Sequence, residues 1–288
     1  MPSPRRLARI AVILATIWLL STWLAIALID FLNAGNLQSI LIDAGHEDRM
    51  PLWFYLYSEG QWTERFQWIL LGAALAIVIS IRFRTNHSSF PATLAITTLI
   101  SGLFLMLIED ALNLRHIVAD IYLPIILSQD QITSISRTIW ETGFYAFLAA
   151  LMTLPVLYFW RKNLLSPSTK TWVICAYFLY GVAGFSSALR RIGDWQDRLG
   201  SRILARIEIS ELPGWANLHH KSWIADEHGD PYLVYTMGYL LTDHLIEESI
   251  ELIAASLLLV ALVRLREDLI QIPARSMNLH LSSPAGNR

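Results

Sequence analysis

The chain carries a single cysteine, Cys175, which excludes an intramolecular disulfide framework and a thiolate metal cluster. Lying inside an apolar block, it reads as a small buried apolar side chain. Charge is also scarce: 16% of the 288 residues are charged, against about 25% in a soluble domain. The net charge of -2 comes with no basic tract, so nucleic acid is not an expected partner. The sequence has no Gly-rich phosphate loop, no Gly-x-Ser-x-Gly and no His-Glu-x-x-His, so the common signatures of nucleotide, acyl-transfer and zinc-hydrolase chemistry are missing. No internal repeat or low-complexity tract is visible.

What the chain does have is apolar length. Hydrophobic residues make up 54% of it, gathered in long blocks rather than amphipathic stripes, which is how lipid-facing helices read. The expected fold is all-α: a polytopic integral membrane protein with six transmembrane helices and an outer amphipathic, interfacial helical segment. The helices are expected at about 10–29, 66–81, 90–116, 136–160, 172–190 and 238–263, each close to the roughly 20 residues that span a bilayer. They form one transmembrane domain over 1–266, with an outer cap segment at 195–238 and a polar cytoplasmic tail at 267–288. The first block competes with a signal-peptide reading, because Ala25, Ile26 and Ala27 resemble a cleavage site. Its length and Trp18 and Trp23 favour a retained helix.

Orientation follows from the short basic loops. Arg5, Arg6 and Arg9, then Arg82 and Arg84, then Arg161, Lys162 and Lys170, then Arg264 and Arg266 fall on one side, which should be cytoplasmic. Both termini are then inside, and a bacterial inner membrane is the expected location. Outer loops are longer. Trp53, Phe54, Tyr55 and Tyr57, and later Trp215, Trp223, Tyr232 and Tyr235, look like interfacial belt residues. In the cap, Leu199, Ile203 and Ile207 recur every four residues beside Arg198, Arg202 and Arg206. That pattern predicts an amphipathic helix on the outer surface, its arginines placed to meet lipid headgroups.

With this threading only Glu267 and Asp268, of 24 acids, lie on the cytoplasmic side. The others collect in outer loops and outer helix ends, and charge inside a bilayer is costly enough to signal function. On the last helix His244, Glu247, Glu248 and Glu251 share one broad face, with Glu251 about 10 Å below the interface. The third helix offers Glu109, Asn113, His116 and Asp120, spaced four, three and four, with Arg115 beside them. The fourth adds Arg137, Glu141 and Tyr145, and the fifth ends with Arg190, Arg191 and Asp194. The expected centre is Glu251, Glu247 and His244, faced by Glu109, His116 and Glu141, with Arg137, Arg190, Arg115 and Asp194 as charge partners.

Three readings compete. One is a site that binds a cation or proton near the periplasmic face, open to coupling with transport. Against coupling, the inner halves of the helices (Leu252–Val263, Phe147–Trp160) lack a polar path. Another is a membrane-embedded metal-dependent enzyme acting on an outer-leaflet or periplasmic substrate. There His244, Glu247, Glu251, Glu109 and His116 would bind Zn, Mn or Fe. The third is a non-catalytic subunit whose arginines and acids form a structural ion-pair network. Its weak point is Glu251, which has no basic residue at its depth and needs a proton, a metal or a hydrogen-bond donor. The loop groups Asp43, His46, Glu47, Asp48 and Asp226, Glu227, His228, Asp230 read as solvated charge, since neither follows a calcium or zinc spacing.

Overall fold

The computed structural model describes residues 4–36, 40, 43–44, 51–58, 60–84, 89–112, 114–118, 121, 123–126, 134–189, 195–206, 223–225, 231–233 and 236–281. Side chains at 115–116, 123–124, 134–135, 223–225, 231–233 and 271–281 lie outside that description. Nearly all of the described chain is helical. The principal helices are α1 Pro4–Ile26, extended by a π turn over Ala27–Phe31, α2 Leu52–Tyr57, α3 Trp62–Arg84, α4 Phe90–Leu112, α5 Ser134–Arg161, α6 Pro167–Leu189, α7 Trp195–Arg206 and α8 Glu248–Leu281. A short turn, Met237–Leu240, and a π-helical stretch, Leu241–Glu247, lead into α8. A small antiparallel hairpin pairs Trp223–Ala225 with Pro231–Leu233.

Five stretches are long and apolar enough to cross a membrane: Pro4–Phe31, Leu52–Arg84, Phe90–Leu112, Ser136–Arg161 and Pro167–Leu189. They fit a multi-pass integral membrane protein. Large apolar side chains such as Leu20, Ile69, Leu94, Leu154 and Phe178 stand more than half exposed on the outer faces of these helices, as lipid contact requires. The lone cysteine is among the exposed side chains. It occupies the outer face of α6 with Ile174 and Phe178, and is not the buried filler expected from its apolar neighbours.

The expected sixth span is not one of the five. Its apolar stretch is bounded by Glu248 and Glu251 on one side and by Arg264 and Arg266, midway along the helix, on the other, and it is the most enclosed element of the bundle. Leu252, Ala254, Ala255, Leu258, Ala261, Leu262 and Leu265 are all at 1% exposure or less. α8 packs against α1, α3 and α6, while α5 packs chiefly on α4. Small residues at the spacing of a helix face, Ala8, Ala15 and Thr22 on α1 and Ala74 on α3, let the helices approach.

Beyond the apolar core α8 continues through Leu281. The two acids of this end are bonded into the bundle. Arg5 donates to Glu267. Asp268 accepts from the Ser166 backbone N at 2.8 Å and the Thr169 hydroxyl at 2.6 Å, so it caps the start of α6. The Arg266 guanidinium donates to Ser80 on α3 at 2.9 Å.

At the opposite end a second apolar cluster forms where interfacial aromatics were expected. Trp53 and Tyr57 are fully buried, packed with Ile26, Met237, Leu240, Leu241 and Leu245. The Tyr57 hydroxyl lies 2.5 Å from that of Thr22. The indoles of α1 are tied across the bundle: Trp18 Nε1 donates to Thr63 at 3.1 Å and Trp23 Nε1 to Ser249 at 3.0 Å. Asp30, fully buried, accepts the first two free amides of α2, Leu52 N at 3.0 Å and Trp53 N at 3.1 Å. A carboxylate there satisfies orphan donors and the helix dipole together. An Asp30→Ala variant is expected to lose about 1–3 kcal/mol, read as a lower melting temperature in detergent or nanodiscs; an unchanged melt would remove this capping role.

The cap helix α7 turns a different face inward from the one its Leu199, Ile203, Ile207 stripe suggested. Gln196, Gly200 and Leu204 are buried, whereas Leu199 is 45% exposed. The reason is a backbone crossing: a Cβ on Gly200 would lie 1.9 Å from the Gly238 carbonyl oxygen. Only glycine at both places allows that approach, and it sets the rotation of α7. Arg198, Arg202 and Arg206 remain exposed, as the repeat suggested. Residue 207 and most of the segment to 235 lie outside the described residues, Trp215 and Tyr235 among them.

Candidate functional site

The C-terminal ends of α4 and α6, the N-terminal end of α3, the middle of α5 and the π stretch before α8 surround a cavity of about 390 Å³. Its two walls differ in kind. The wall from α3, α4 and the chain entering α8 carries Glu64, Gln67, Glu109, Asp110, Asp243, His244, Glu247, Glu248 and Glu251. The wall from α5 and α6 carries no charge among the described residues; Tyr145, Leu148, Met152, Tyr177, Tyr180, Phe185 and small residues make it up. Seven carboxylates thus share one space, and among the described residues no Lys or Arg lines it.

Each acid arrives for a local reason. α3 begins four residues before the apolar block suggests, at Trp62. Its buried face of Glu64, Gln67, Leu71, Ala74, Val78 and Ile81 runs at three- and four-residue steps, so the first polar turn lies above the core stripe. The backbone N–H of Gly60 donates to Glu64. On α4, Glu109 and Asp110 sit in the last turn, Glu109 with 7% exposure. Before α8 the backbone widens into a π stretch over Leu241–Glu247, a feature that recurs at functional sites. The wider turns draw Asp243 and His244 onto the side that Glu247, Glu248 and Glu251 occupy. His244 Nδ1 is 4.0 Å from Asp243 Oδ2, and its ring meets that of Phe54 edge-on at 5.9 Å.

Gln67 is the junction of the acid wall. Its Nε2 donates to Asp110 Oδ1 at 3.1 Å and to Glu251 Oε2 at 2.9 Å. The hydrogen-bond donor that Glu251 required is therefore an amide. One nitrogen holds the two carboxylates with oxygens no more than about 6 Å apart, where two full charges would repel by roughly 3 kcal/mol even at an effective dielectric of 20. Glu248 Oε2 and the Tyr180 hydroxyl are buried there with no hydrogen-bond partner among the described residues.

The structure brings together Glu251, Glu247, His244, Glu248 and Glu109 of the expected set. Glu141 is fully buried but does not line the cavity; Thr142 and Tyr145, its neighbours on α5, do. Arg137 is also outside the lining. The side chains of His116 and Arg115, and residues Asn113, Asp120, Arg190, Arg191 and Asp194, lie outside the described residues. Glu64, Gln67 and Tyr180 were not candidates. Their signal was present: Glu64 and Gln67 are polar residues three apart at the rim of an apolar block, in phase with the stripe that follows. Among the described residues no three His, Cys, Asp or Glu side chains are grouped to hold a metal ion. No family model, curated protein or solved structure matches this chain.

Proposed function

We propose that the chain is a six-span protein of a bacterial inner membrane, both termini cytoplasmic, whose acidic chamber binds positive charge from the outer side. The charge is a cation or its equivalent in protons. One observation carries this reading: seven carboxylates line one chamber. Carboxylates crowded into a low-dielectric space repel one another unless protons or a cation are held among them. α8 acts as the sixth span because the stretch between Glu251 and Arg264 is uncharged, apolar and enclosed. The basic ends of α3 and α5, and Arg264 and Arg266 after the apolar stretch of α8, support the orientation. Below the chamber Leu71, Ala74, Leu99, Leu103, Leu252 and Leu258 close the bundle. Binding at the outer face is thus the first function, and transport would require those helices to part.

The test is calorimetric binding of Na⁺, Ca²⁺, Mn²⁺ and methylammonium to protein in nanodiscs, together with proton uptake over a mild pH range. The wild type is expected to bind at least one cation or take up extra protons, and Glu248→Gln with Glu251→Gln to weaken this at least tenfold. Indistinguishable cation binding and proton uptake in the two proteins would sink the proposal. Flux from loaded liposomes then separates binding from transport.

A further inference from the structure

We infer that the occupant of the chamber is an amphiphilic organic cation, an ammonium-type head with an apolar body, entering sideways between α5 and α6. The inference rests on the positive-charge reading above and gives it a substrate class.

Size is the first argument. A cavity of about 390 Å³ is far larger than an inorganic ion, and falls in the range of roughly 300–1,000 Å³ that takes small organic ligands. The arrangement of donors agrees: the carboxylates surround the space, and no described trio converges on a point as a metal ion needs. A diffuse organic cation can be balanced by carboxylates that never share one coordination centre.

The second argument is the asymmetry of the walls. All seven acids stand on the side of α3, α4 and α8, and the opposite side is apolar and aromatic. Tyr145 and Tyr180 offer ring faces on which an alkylated ammonium can rest. Glu248 Oε2 and the Tyr180 hydroxyl, buried without hydrogen-bond partners among the described residues, are the polar groups left for a head to satisfy.

The third argument is access. Thr142, Ala146, Ala149, Gly181 and Phe185 line the chamber and are also exposed. The same wall is therefore chamber on one side and surface on the other. Thr142, Ala146 and Ala149 lie along the middle of α5, and Gly181 and Phe185 within the last three turns of α6. α5 and α6 are bound mainly to other partners, α4 and α8, and meet one another sparsely. At the deep end of the seam the Tyr177 hydroxyl donates to the Met152 carbonyl at 2.8 Å and closes it. The seam lies between two helices long and apolar enough to cross a membrane, and a ligand reaching it through the bilayer needs an apolar body.

The probe is radiolabelled tetraphenylphosphonium, bound at equilibrium to protein in nanodiscs and corrected for empty nanodiscs. Saturable binding is expected, weakened at least tenfold by Glu248→Gln with Glu251→Gln. It should be weakened similarly by Gly181→Leu, which fills the seam. A Cβ at Gly181 meets nothing within 4 Å, so this variant should fold, and an unchanged melting curve is the check. Methylammonium, which needs no seam, should lose far less affinity in Gly181→Leu than tetraphenylphosphonium does. If methylammonium or an inorganic cation binds through the acids while tetraphenylphosphonium does not, this inference is overturned and the positive-charge reading stands. If no cation binds, both fail. Tetraphenylphosphonium binding that ignores the Gly181→Leu change in a folded protein overturns the lateral route.

Discussion

A Gln67→Lys variant is expected to be more heat-stable than the wild-type protein and to lose its affinity for added cations. Gln67 has 1% exposure and its amide already reaches Asp110 and Glu251. A lysine there would bring three donors and a full positive charge to carboxylates that now share neutral ones. Charge-assisted hydrogen bonds are roughly twice as strong as neutral ones. A gain of even 1 kcal/mol would raise the melting temperature by about 2–4 °C in a protein of this size. The tethered ammonium would also occupy the place of the ligand, so binding should fall by about two orders of magnitude, or roughly 2.7 kcal/mol. Gln67→Leu should do the reverse to stability: two buried carboxylate oxygens lose a donor, at roughly 1–3 kcal/mol each. Melting curves with and without cation distinguish the outcomes. A Gln67→Lys protein that melts lower and still binds cations would mean that the acids do not act as one negative field.

The second large effect is expected from Gly238→Ala. A Cβ there would lie 2.5 Å from Ser201 Oγ, 2.6 Å from the Asp197 carbonyl oxygen and 2.7 Å from Ser201 N. Backbone atoms of a helix cannot yield as a flexible side chain can, so α7 must move away. The surrounding bonds would go with it: Thr236 to Asp197, Thr242 to the Gln196 carbonyl at 3.1 Å, and Gln196 to Ser186 at 3.2 Å. Overpacking typically costs about 1–3 kcal/mol, and a backbone clash of this kind belongs at or above the top of that range. Thr242 adjoins Asp243 and Ser186 adjoins Ser187, both of the latter in the chamber lining. Loss of the crossing should therefore weaken cation binding as well as lower the melting temperature. Limited proteolysis should show earlier cleavage within 195–206. Gly143→Ala is the control: a Cβ there meets nothing within 4 Å, and an α-helical interior favours it. Equal behaviour of Gly238→Ala and Gly143→Ala would show that the crossing does not hold the cap.

Much of the molecule was open to a reader of the chain alone. Spanning a bilayer demands about 20 apolar residues in a row, a local requirement that leaves a local mark. Helix content, the apolar blocks and the concentration of acids at one end of the helices follow from composition and order. So does the candidacy of His244, Glu247, Glu248 and Glu251, because residues seven or fewer apart on one helix fix their own relative position. Glu109 was found for a related reason, as an acid ending an apolar block.

Tertiary structure decided the rest, because it depends on how each helix is rotated and what it meets. Trp53 and Tyr57 look interfacial by type but are core, since Asp30 and Thr22 draw α2 into the bundle. Glu141 is polar at the right depth, yet the rotation of α5 turns Thr142 and Tyr145 to the chamber instead. Gln67 joins the site through Asp110 and Glu251, 43 and 184 residues away in sequence. The face of α7 was set by a glycine pair whose members are far apart in the chain. Periodicity tells which residues share a side of a helix; which side turns inward is settled only by the neighbours that pack against it.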